Sequence, residues 1–386
     1  MRVLLIKTSS LGDIIHALPA LTDAARAIPG IRFDWVVEES FVEIPTWHPA
    51  VDRVIPVAIR RWRKNILRTW FGGEWRRFTG TLVQNRYDAT IDAQGLLKSA
   101  FLTRYATVPV HGFDRDSARE PLASRFYTDR HAVVRDRHAV ERLRELFARA
   151  LDYPVPDTPG EYGLDRRRIL AASRSATTTA DSQTDTTDHI RPREHEEERD
   201  YLVFLHATTW PTKHWPEDYW RALIHHAGQA GWRVRLPWGN DDEHARALRL
   251  AESHPHVIVL PRLSLSGIAR QLAGARACVA VDTGLGHLAA ALDVPTVSLF
   301  GPTHPGYTGA WGWGQIHLAS DLDCAPCLGR RCAKAPQPTP SAWPPCFERV
   351  TPATVWAALE PALTTASTVS PRGAYRPQFQ HQGEPG

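Results

Sequence analysis

The order of hydrophobic and polar positions predicts a chain in which strands and helices alternate. The apolar segment Arg2–Lys7 predicts a first strand, and the polar turn 8–13 follows it. From Asp13 onward, apolar residues recur at spacings of four and three, the period of a helix that buries one face. Pro29 and Gly30 then predict the end of that helix.

The same alternation continues in two series. Further strands are predicted, in chain order, at Arg32–Val37, Val54–Val57, Ala89–Asp92, Tyr201–Leu205, Arg233–Pro237, Val257–Leu260, Cys278–Val281 and Thr296–Phe300. A last helix is predicted at Thr351–Leu363. Strands that alternate with helices favour parallel sheets covered on both faces, so the predicted fold class is α/β.

One polar segment divides the two series. Ala171–Arg199 has almost no large apolar residues, so it buries too little surface to offset the entropy of ordering it. A chain of 386 residues also suits two domains at about 100–200 residues each. We predict domains over 1–170 and 201–350, a disordered linker over 171–200, a C-terminal helix over 351–366 and a disordered tail over 367–386. Two α/β halves with a polar hinge predict a ligand cleft between them.

Overall charge and hydropathy exclude some classes of protein. The net charge of +4 and sequence pI near 8.9 do not imply a nucleic-acid partner. No apolar run approaches the roughly 18 residues that a membrane span needs. The apolar part of the N-terminus is too short for a signal peptide. We therefore expect a cytoplasmic protein that is able to touch a membrane surface.

The segment Val279–Leu292, VAVDTGLGHLAAAL, combines an apolar strand, a glycine-containing turn and a helix of small residues. Backbone N–H groups of residues 283–287 would face an anion such as a diphosphate at the helix start. The alternative is an ordinary strand–helix turn. The segment also matches the dinucleotide fingerprint G-x-G-x-x-A, but residues 300–312 contain no acidic residue for a ribose, which weakens a redox interpretation.

The segment Phe204–Trp215, FLHATTWPTKHW, ends a strand with a hydroxyl-rich turn and Lys213. A cation at this position would stabilise the charge that grows on a leaving nucleotide. The alternative is a solvent-exposed lysine at a helix start that Thr208 or Thr209 caps.

The segment Leu5–Asp13, LIKTSSLGD, places Asp13 at the end of the first strand, where open parallel sheets expose their functional residues. An aspartate at this position suits a general base for a sugar hydroxyl. The alternative is that Asp13 only favours the first turn of its helix, as acidic residues commonly do.

The segment Ala58–Phe78 is strongly basic. Its seven cations are opposed by Glu74 alone, and three tryptophans lie among them. The cations are Arg60, Arg61, Arg63, Lys64, Arg68, Arg76 and Arg77, and the tryptophans are Trp62, Trp70 and Trp75. Guanidinium groups bind phosphates and carboxylates, and such a mixture also suits an anionic membrane or single-stranded nucleic acid. The alternative is a solvated helix face.

Four of the five cysteines fall in a Pro-rich segment, which we call the Cys loop (residues 321–347). Cys324, Cys327, Cys332 and Cys346 would supply thiolate ligands for a structural zinc or iron, although their spacing is irregular, and four free thiols are the alternative. Cys278 lies in an apolar run and is predicted to belong to the core. The histidines lack metal-binding spacing.

Taken together, these segments resemble the lipopolysaccharide heptosyltransferase family, glycosyltransferase family 9. The resemblance covers about residues 1–320 and rests on the strings KTSSLGDIIHALPALTDA, FDWVVEE, RVIPVAIRRWRK, IDAQGLLKSA, AREPLAS, HAVER, FLHATTWPTKHWPEDYW, LPWG and DTGLGHLAAALDVP. It implies a GT-B fold, two Rossmann-like domains that face a central cleft, with the acceptor bound by the first domain and ADP-heptose by the second.

The resemblance also implies residue roles. Asp13 would deprotonate a hydroxyl of 3-deoxy-manno-octulosonic acid (Kdo) on Kdo2-lipid A, with Lys7 and Ser10 beside it and Lys213 on the donor side, so that L-glycero-D-manno-heptose is transferred with inversion. The acidic acceptor would meet Arg60, Arg61, Arg63, Lys64, Lys98 and Arg119. The donor would bind Thr208, Thr209, Lys213, Glu243, Asp282, Thr283, Gly284, Leu285, Gly286 and His287. The transfer would require no cofactor.

The implied partners are ADP-heptose, Kdo2-lipid A and the cytoplasmic face of the inner membrane, where the protein would be peripheral, and nucleic acid is not expected. Two alternatives stay open at this point. One keeps the enzyme class but changes the acceptor to a core heptose or a protein side chain, since the Cys loop resembles a feature of other family members. The other is a nucleic-acid-binding module that uses the basic segment.

Overall fold

The structure, a computed structural model, describes residues 1–64, 72–171, 201–335 and 343–364. The chain divides into two compact units, Met1–Leu164 and Asp165–Gly386. This division precedes the predicted domain end at residue 170 because Arg166 donates to the carbonyls of Ala273 at 2.6 Å and Ala275 at 3.2 Å, both in the second unit. The predicted linker beyond residue 171 and the predicted tail lie outside the described residues.

The first unit contains one sheet of six parallel strands. They are β1 (Arg2–Ile6), β2 (Arg32–Glu38), β3 (Val51–Val57), β4 (Ala89–Asp92), β5 (Val110–Phe113) and β6 (Asp129–His131). Their order across the sheet is β3-β2-β1-β4-β5-β6. The α-helices described are α1 (Leu11–Ile15), α2 (Leu18–Ala27), α3 (Glu43–Thr46), α4 (Ile59–Trp62), α5 (Glu74–Gln84), α6 (Leu97–Ala100) and α7 (Ala139–Leu151). Short 3-10 turns occupy Glu39–Phe41, Phe101–Tyr105 and Pro121–Phe126.

The second unit repeats this arrangement. Its strands are β7 (Tyr201–Leu205), β8 (Arg233–Leu236), β9 (Val257–Val259), β10 (Ala277–Val281), β11 (Thr296–Phe300) and β12 (Gln315–Ala319). The order is β12-β11-β10-β7-β8-β9, all parallel, so that its first strand also lies in the middle of the sheet. The α-helices described are α8 (Arg166–Ala171), α9 (Glu217–Gln229), α10 (Asp241–Ala251), α11 (Leu265–Gly274), α12 (Gly284–Ala291), α13 (Pro305–Thr308) and α14 (Pro352–Thr364). Pro211–Lys213 and Pro345–Phe347 are 3-10 turns.

Every strand predicted from the sequence is confirmed, with ends that shift by three residues at most. The reason is that central parallel strands are buried on both faces and are therefore almost wholly apolar, as in β7 and β10, whose residues are all buried. Strands β5, β6 and β12 were not predicted, because none presents a long apolar run: β6 and β12 lie at sheet edges, and the four-residue β5 contains His111 and Gly112. The single helix predicted from Asp13 is two helices, α1 and α2, because Pro19 lies in the first turn of α2 and has no N–H to continue α1.

In both units the strand order reverses beside the first strand, between β1 and β4 and between β7 and β10. Open parallel sheets bind ligands outside the carboxyl ends of their strands at such a switch point. The turns after β1 and β4, and those after β7 and β10, are therefore the places to look for function. None of the helices in the described ranges has the length and apolar composition needed to span a membrane.

Candidate active site

In the first unit, buried hydrogen bonds join the turn after β1 to the turn after β4. The Lys7 ammonium group donates to the carbonyl of Ala93 at 2.8 Å. The backbone N–H groups of Thr8 and Ser9 donate to Gln94 Oε1 at 3.0 and 3.2 Å. The two turns therefore form one preorganised surface. Lys7 was predicted from the sequence and Gln94 was not, because the partners of Gln94 lie 86 and 85 residues away in the chain.

Asp13 lies in the first turn of α1 and is half-buried. Its Oδ2 accepts hydrogen bonds from the Ser10 backbone N–H at 2.6 Å and from the Ser10 hydroxyl at 3.1 Å. Asp13 therefore does stabilise the first turn of its helix, and this role is compatible with a second role as a general base. Both bonds use the same carboxylate oxygen, so they orient the side chain without occupying Oδ1.

Cationic side chains surround this carboxylate. Burial lowers the pKa of Lys7, while the charges of Asp13 and Asp92 act to raise it. The Lys98 ammonium group donates to the Ser9 hydroxyl at 2.8 Å. Burial also lowers the pKa of Lys98, and Arg60 acts in the same direction while Asp13 opposes it. The charge of Arg119 lowers the pKa of both lysines, so these predicted residues lie close enough to interact electrostatically.

Asp92, at the end of β4, is a buried residue that stabilises this site. It was not predicted from the sequence. Its carboxylate accepts hydrogen bonds from the Gln94 N–H at 2.8 Å, the Ser99 hydroxyl at 2.9 Å and the Tyr127 hydroxyl at 2.8 Å. Burial raises its pKa, although these donors oppose the rise. Its position at a strand end was the signal that could have identified it.

The basic segment contains one paired arginine and several exposed ones. Arg61 binds Glu39 at 3.1 Å and Glu74 at 2.9 Å, and these carboxylates raise its pKa. Sequence analysis counted Glu74 as the only opposing acid, because Glu39 comes from a different part of the chain. Arg60, Arg63 and Lys64 are exposed and form no ion pair with any other described residue.

Three described aromatic residues of this segment, Trp62, Trp75 and Phe78, pack against one another and the core of the first unit. The rings of Trp62 and Trp75 meet at 5.5 Å, and Phe78 lies 5.6 Å from Trp62. These rings pack against the core formed by β1, β2 and β3. A nucleic-acid interface would need such rings exposed for stacking, so the packing of Trp62 and Trp75 speaks against their use in that alternative. Arg68 and Trp70 lie outside the described residues.

In the second unit, the turns after β7 and β10 meet through an ion pair. Lys213 Nζ lies 2.6 Å from Asp282 Oδ2, and both side chains are largely buried. The Thr208 hydroxyl donates to the backbone carbonyl of Asp282 at 3.1 Å. Thr303, after β11, donates its hydroxyl to Asp282 Oδ2 at 2.6 Å. Lys213, Asp282 and Thr208 were predicted from the sequence, whereas Thr303 was not, because it lies outside the segments 204–215 and 279–292.

Helix α12 begins directly after Thr283, so its free N–H groups lie beside the ion pair. Gly286 is needed for close packing, since a Cβ there would lie 3.1 Å from the Cβ of Ala280 on β10. His287 is buried and lines a small cavity whose other residues are Val281, Asp282, Thr283, Gly286, Ser298, Phe300 and Ala310. Gly284 and Leu285 are half-buried in the same turn. The residues predicted to bind phosphate therefore lie together at the start of α12, and their binding role stays a prediction.

Two other predicted donor residues are placed differently. Thr209 is exposed beside Thr208. Glu243 binds the start of its own helix α10: its Oε2 accepts from the Gly239 N–H at 2.8 Å and its Oε1 from the Asn240 amide at 2.9 Å. Among described residues, the hydrogen bonds of the Glu243 carboxylate are therefore local.

Three histidines of the second unit, His206, His214 and His317, are at least partly buried, and burial favours their uncharged form at neutral pH. Burial lowers the pKa of His206 to about 3, of His214 to about 4 and of His317 to about 4. His206 follows β7 directly and has no exposed surface. These residues contribute shape and neutral polarity to the site.

The predicted metal site at the Cys loop is not formed by the residues that the structure describes. All four thiols are free, and no group of three or more potential ligands in the described part of the chain is placed to hold a metal ion. Cys346 lies against Gly301, and burial, together with the neighbouring thiols of Cys332, Cys327 and Cys324, raises its pKa to about 12. Cys278 is fully buried, so its predicted place in the core is confirmed.

Comparison with known proteins places this geometry in context. A family model described as glycosyltransferase family 9 (heptosyltransferase) matches residues 75–337. The chain is 59% identical to lipopolysaccharide heptosyltransferase 1 of Pseudomonas aeruginosa, over 96% of this chain and 100% of that protein. It is 51% identical to lipopolysaccharide heptosyltransferase 1 of Escherichia coli K12, over 82% of this chain and 92% of that one.

Solved structures are similar as well. The E. coli heptosyltransferase WaaC with ADP has a TM-score of 0.73 at 51% identity, covering 82% of this chain and 92% of that one. The same enzyme with ADP-2-deoxy-2-fluoro heptose has a TM-score of 0.72 at 50% identity, covering 83% of this chain and 93% of that one. E. coli heptosyltransferase II shares the fold at 20% identity, with a TM-score of 0.68 and coverage of 94% of this chain and 98% of that one. These matches show the GT-B fold predicted from the resemblance.

Proposed function

The chain belongs to glycosyltransferase family 9 (heptosyltransferase), and from this premise we propose that it transfers L-glycero-D-manno-heptose from ADP-heptose to Kdo of Kdo2-lipid A. The observation that carries the proposal is the Lys213–Asp282 pair at the start of α12, which offers a cation and free N–H groups to a diphosphate. The similar WaaC structures contain ADP and an ADP-heptose analogue, which supports ADP-heptose as the donor.

The second unit binds the donor in this proposal. The diphosphate lies at the N-terminus of α12, where Thr283 and the N–H groups of residues 284–287 meet it. Lys213, with Thr208 and Thr209 beside it, neutralises the negative charge that grows as the bond between the anomeric carbon and the diphosphate oxygen breaks. Asp282 holds the Lys213 ammonium group in position at 2.6 Å before the donor arrives. Glu243 is the proposed ribose ligand, which requires its carboxylate to exchange a local hydrogen bond.

The first unit activates the acceptor. Asp13 accepts the proton of a Kdo hydroxyl while the hydroxyl oxygen attacks the anomeric carbon from the face opposite ADP. One carbon–oxygen bond forms and one breaks, ADP leaves with the bonding electron pair, and the configuration inverts. Ser10 orients the base through its two hydrogen bonds to Oδ2. No step of this transfer uses a cofactor.

The cations of the first unit attract the acidic acceptor. Arg60, Arg63 and Lys64 are exposed, so they are able to meet the carboxylates and phosphates of a glycolipid. Lys98 and Arg119 add positive charge beside Asp13, and Arg61 contributes through a guanidinium group already shared by two glutamates. The same surface would hold the protein at the cytoplasmic face of the inner membrane, where anionic lipids attract basic segments.

The test is transfer by the purified protein. The protein is incubated with ADP-heptose and Kdo2-lipid A, and ADP release and acceptor mass are followed. The proposal expects one added heptose per acceptor. ADP-heptose binding without any gain in acceptor mass would reject Kdo as the acceptor, and heptosylated cores and proteins would then be tried in the same assay.

A further inference from the structure

The Cys loop is hydrogen-bonded to the turn after β7, which is part of the proposed diphosphate site, and to the turn after β11, which contacts that site through Thr303. The Thr212 hydroxyl, in the turn after β7, donates to the carbonyl of Gly329 at 2.6 Å. The Leu328 N–H donates to the carbonyl of Pro302 at 2.8 Å. Pro302 immediately precedes Thr303, whose hydroxyl binds Asp282. Because two hydrogen bonds fasten adjacent residues of the loop, the next residue, Arg330, has a defined position beside the donor turns.

Arg330 and Lys213 share one aromatic ring. The Arg330 Cζ lies 4.9 Å from the centre of the Trp210 ring, and the Lys213 Nζ lies 4.4 Å from the same centre. An aromatic face attracts cations at this range. The two positive charges are therefore within about 10 Å of each other, a separation over which salt at about 0.1 M screens only in part. Two positive charges at this separation repel each other, and a bound anion would reduce that repulsion.

The two cations differ in their pairing. Lys213 is committed to Asp282 at 2.6 Å. Arg330 is exposed, and among the described residues no carboxylate lies within ion-pair distance of it. Asp321, an acidic residue of the same loop, is paired with Arg349 at 2.5 Å. The guanidinium group of Arg330 is consequently held by the ring of Trp210, and a phosphate would bind it more strongly than the ring does.

We propose that Arg330 is a donor-site residue whose guanidinium group binds the diphosphate of the nucleotide sugar together with Lys213. Trp210 holds both cations in place before the nucleotide arrives. This inference rests on the proposed function and adds to it a ligand from the Cys loop, to which sequence analysis assigned only a metal. The positive charge of Lys213 is partly neutralised by Asp282, so Lys213 alone does not balance the negative charge of a diphosphate. A guanidinium group is able to bind two phosphate oxygens at once.

The test compares Arg330→Gln with Arg331→Gln. Both variants remove one exposed charge from the same loop, and within the described residues it is Arg330 that contacts the Trp210 ring. Binding of ADP and of adenosine to the full-length protein is measured by titration calorimetry at two salt concentrations. We expect Arg330→Gln to weaken ADP binding about tenfold, as for loss of a charged hydrogen bond, and to leave adenosine binding unchanged. Arg331→Gln should change ADP binding by less than about twofold, and Arg330→Lys should recover part of the loss.

Equal weakening by Arg330→Gln and Arg331→Gln would overturn the proposal, because the effect would then be the general charge of the loop. An Arg330→Gln variant that binds ADP as tightly as the wild-type protein does would overturn the proposal as well. The proposed function would survive that result if the wild-type protein transfers heptose. A wild-type protein that binds no ADP would instead reject the proposed function itself. Thermal unfolding of each variant shows whether the loop is still folded.

Discussion

The two switch points of this protein share a topology and differ in their charge. At the first, Ser10 orients the carboxylate of Asp13. The lysines and arginines around this carboxylate form few ion pairs with other described residues. At the second, a cation, Lys213, is held by an acid, Asp282, beside the start of a helix. The first arrangement suits removal of a proton from an anionic acceptor, and the second suits stabilisation of a departing diphosphate. A shared topology therefore provides positions, while the side chains at the strand ends determine the chemistry.

The largest expected effect tests the carboxylate of the first switch point. Asp13→Asn removes the base but retains an oxygen that is able to accept from Ser10. We expect kcat for heptose transfer to fall about 10²–10⁴-fold, the range for loss of a general base. Asp13→Ala should be equally inactive and also less stable by about 1 kcal/mol, because the helix loses its capping contact. ADP-heptose binding should persist in both variants, and turnover near the wild-type rate in either would reject Asp13 as the base.

The next effect tests the cation of the second switch point. Lys213→Gln removes the charge that the leaving group needs, and we expect kcat to fall about 10²–10³-fold. Affinity for ADP should fall too, whereas the acceptor KM should stay close to its wild-type value. Steady-state kinetics with each substrate varied in turn, together with ADP titration, gives the three parameters. A rise confined to the acceptor KM would contradict the division of labour between the two switch points.

A third effect concerns stability in acid. Burial lowers the pKa of His206 to about 3 in the folded protein, below the usual 6.5. The unfolded chain therefore takes up a proton at pH values where the folded chain does not, so stability present above pH 6.5 is lost as pH falls towards 3. Between pH 7 and pH 5 this histidine should cost about 2 kcal/mol of unfolding free energy.

Urea unfolding of His206→Leu at both pH values measures this contribution. The variant should lose less stability on acidification than the wild type does. His225→Gln is the matched control, since it removes an imidazole that is exposed on α9. An unaltered pH dependence in His206→Leu would show that His206 is not the residue that titrates.

The smallest effect separates arginines within the basic segment. Arg63 is exposed without an ion pair to another described residue, whereas Arg61 is bound by Glu39 and Glu74. We expect Arg63→Gln to raise the acceptor KM a few-fold, about the value of one exposed ion pair, and to do so mainly at low salt. Arg61→Gln should affect the acceptor KM less and local structure more. The reverse ranking would mean that the glutamates release Arg61 when the acceptor binds.

The sequence predicted much of the fold because buried parallel strands have a composition of their own. Tyr201–Leu205 and Ala89–Asp92 were located to the residue, since mostly apolar side chains suit the middle of such a sheet. The edge strand Asp129–His131 was missed, because its residues face solvent and follow no apolar pattern. Among the described residues no group of three or more ligands is placed to hold a metal ion, because spacing along the chain does not fix the distances between side chains.

By itself, the sequence determined the two-unit α/β organisation, the family and the residues at each strand end, because apolar periodicity and long motifs are local properties of a chain. The tertiary structure decided which of these residues meet. It brought Thr303 to Asp282, paired Arg61 with Glu39, closed Gln94 over the turn after β1 and laid Arg330 on the ring of Trp210. Each of these contacts joins residues that are distant in the chain, and hydrogen bonds and ion pairs depend on distance in space, which spacing along a sequence does not encode.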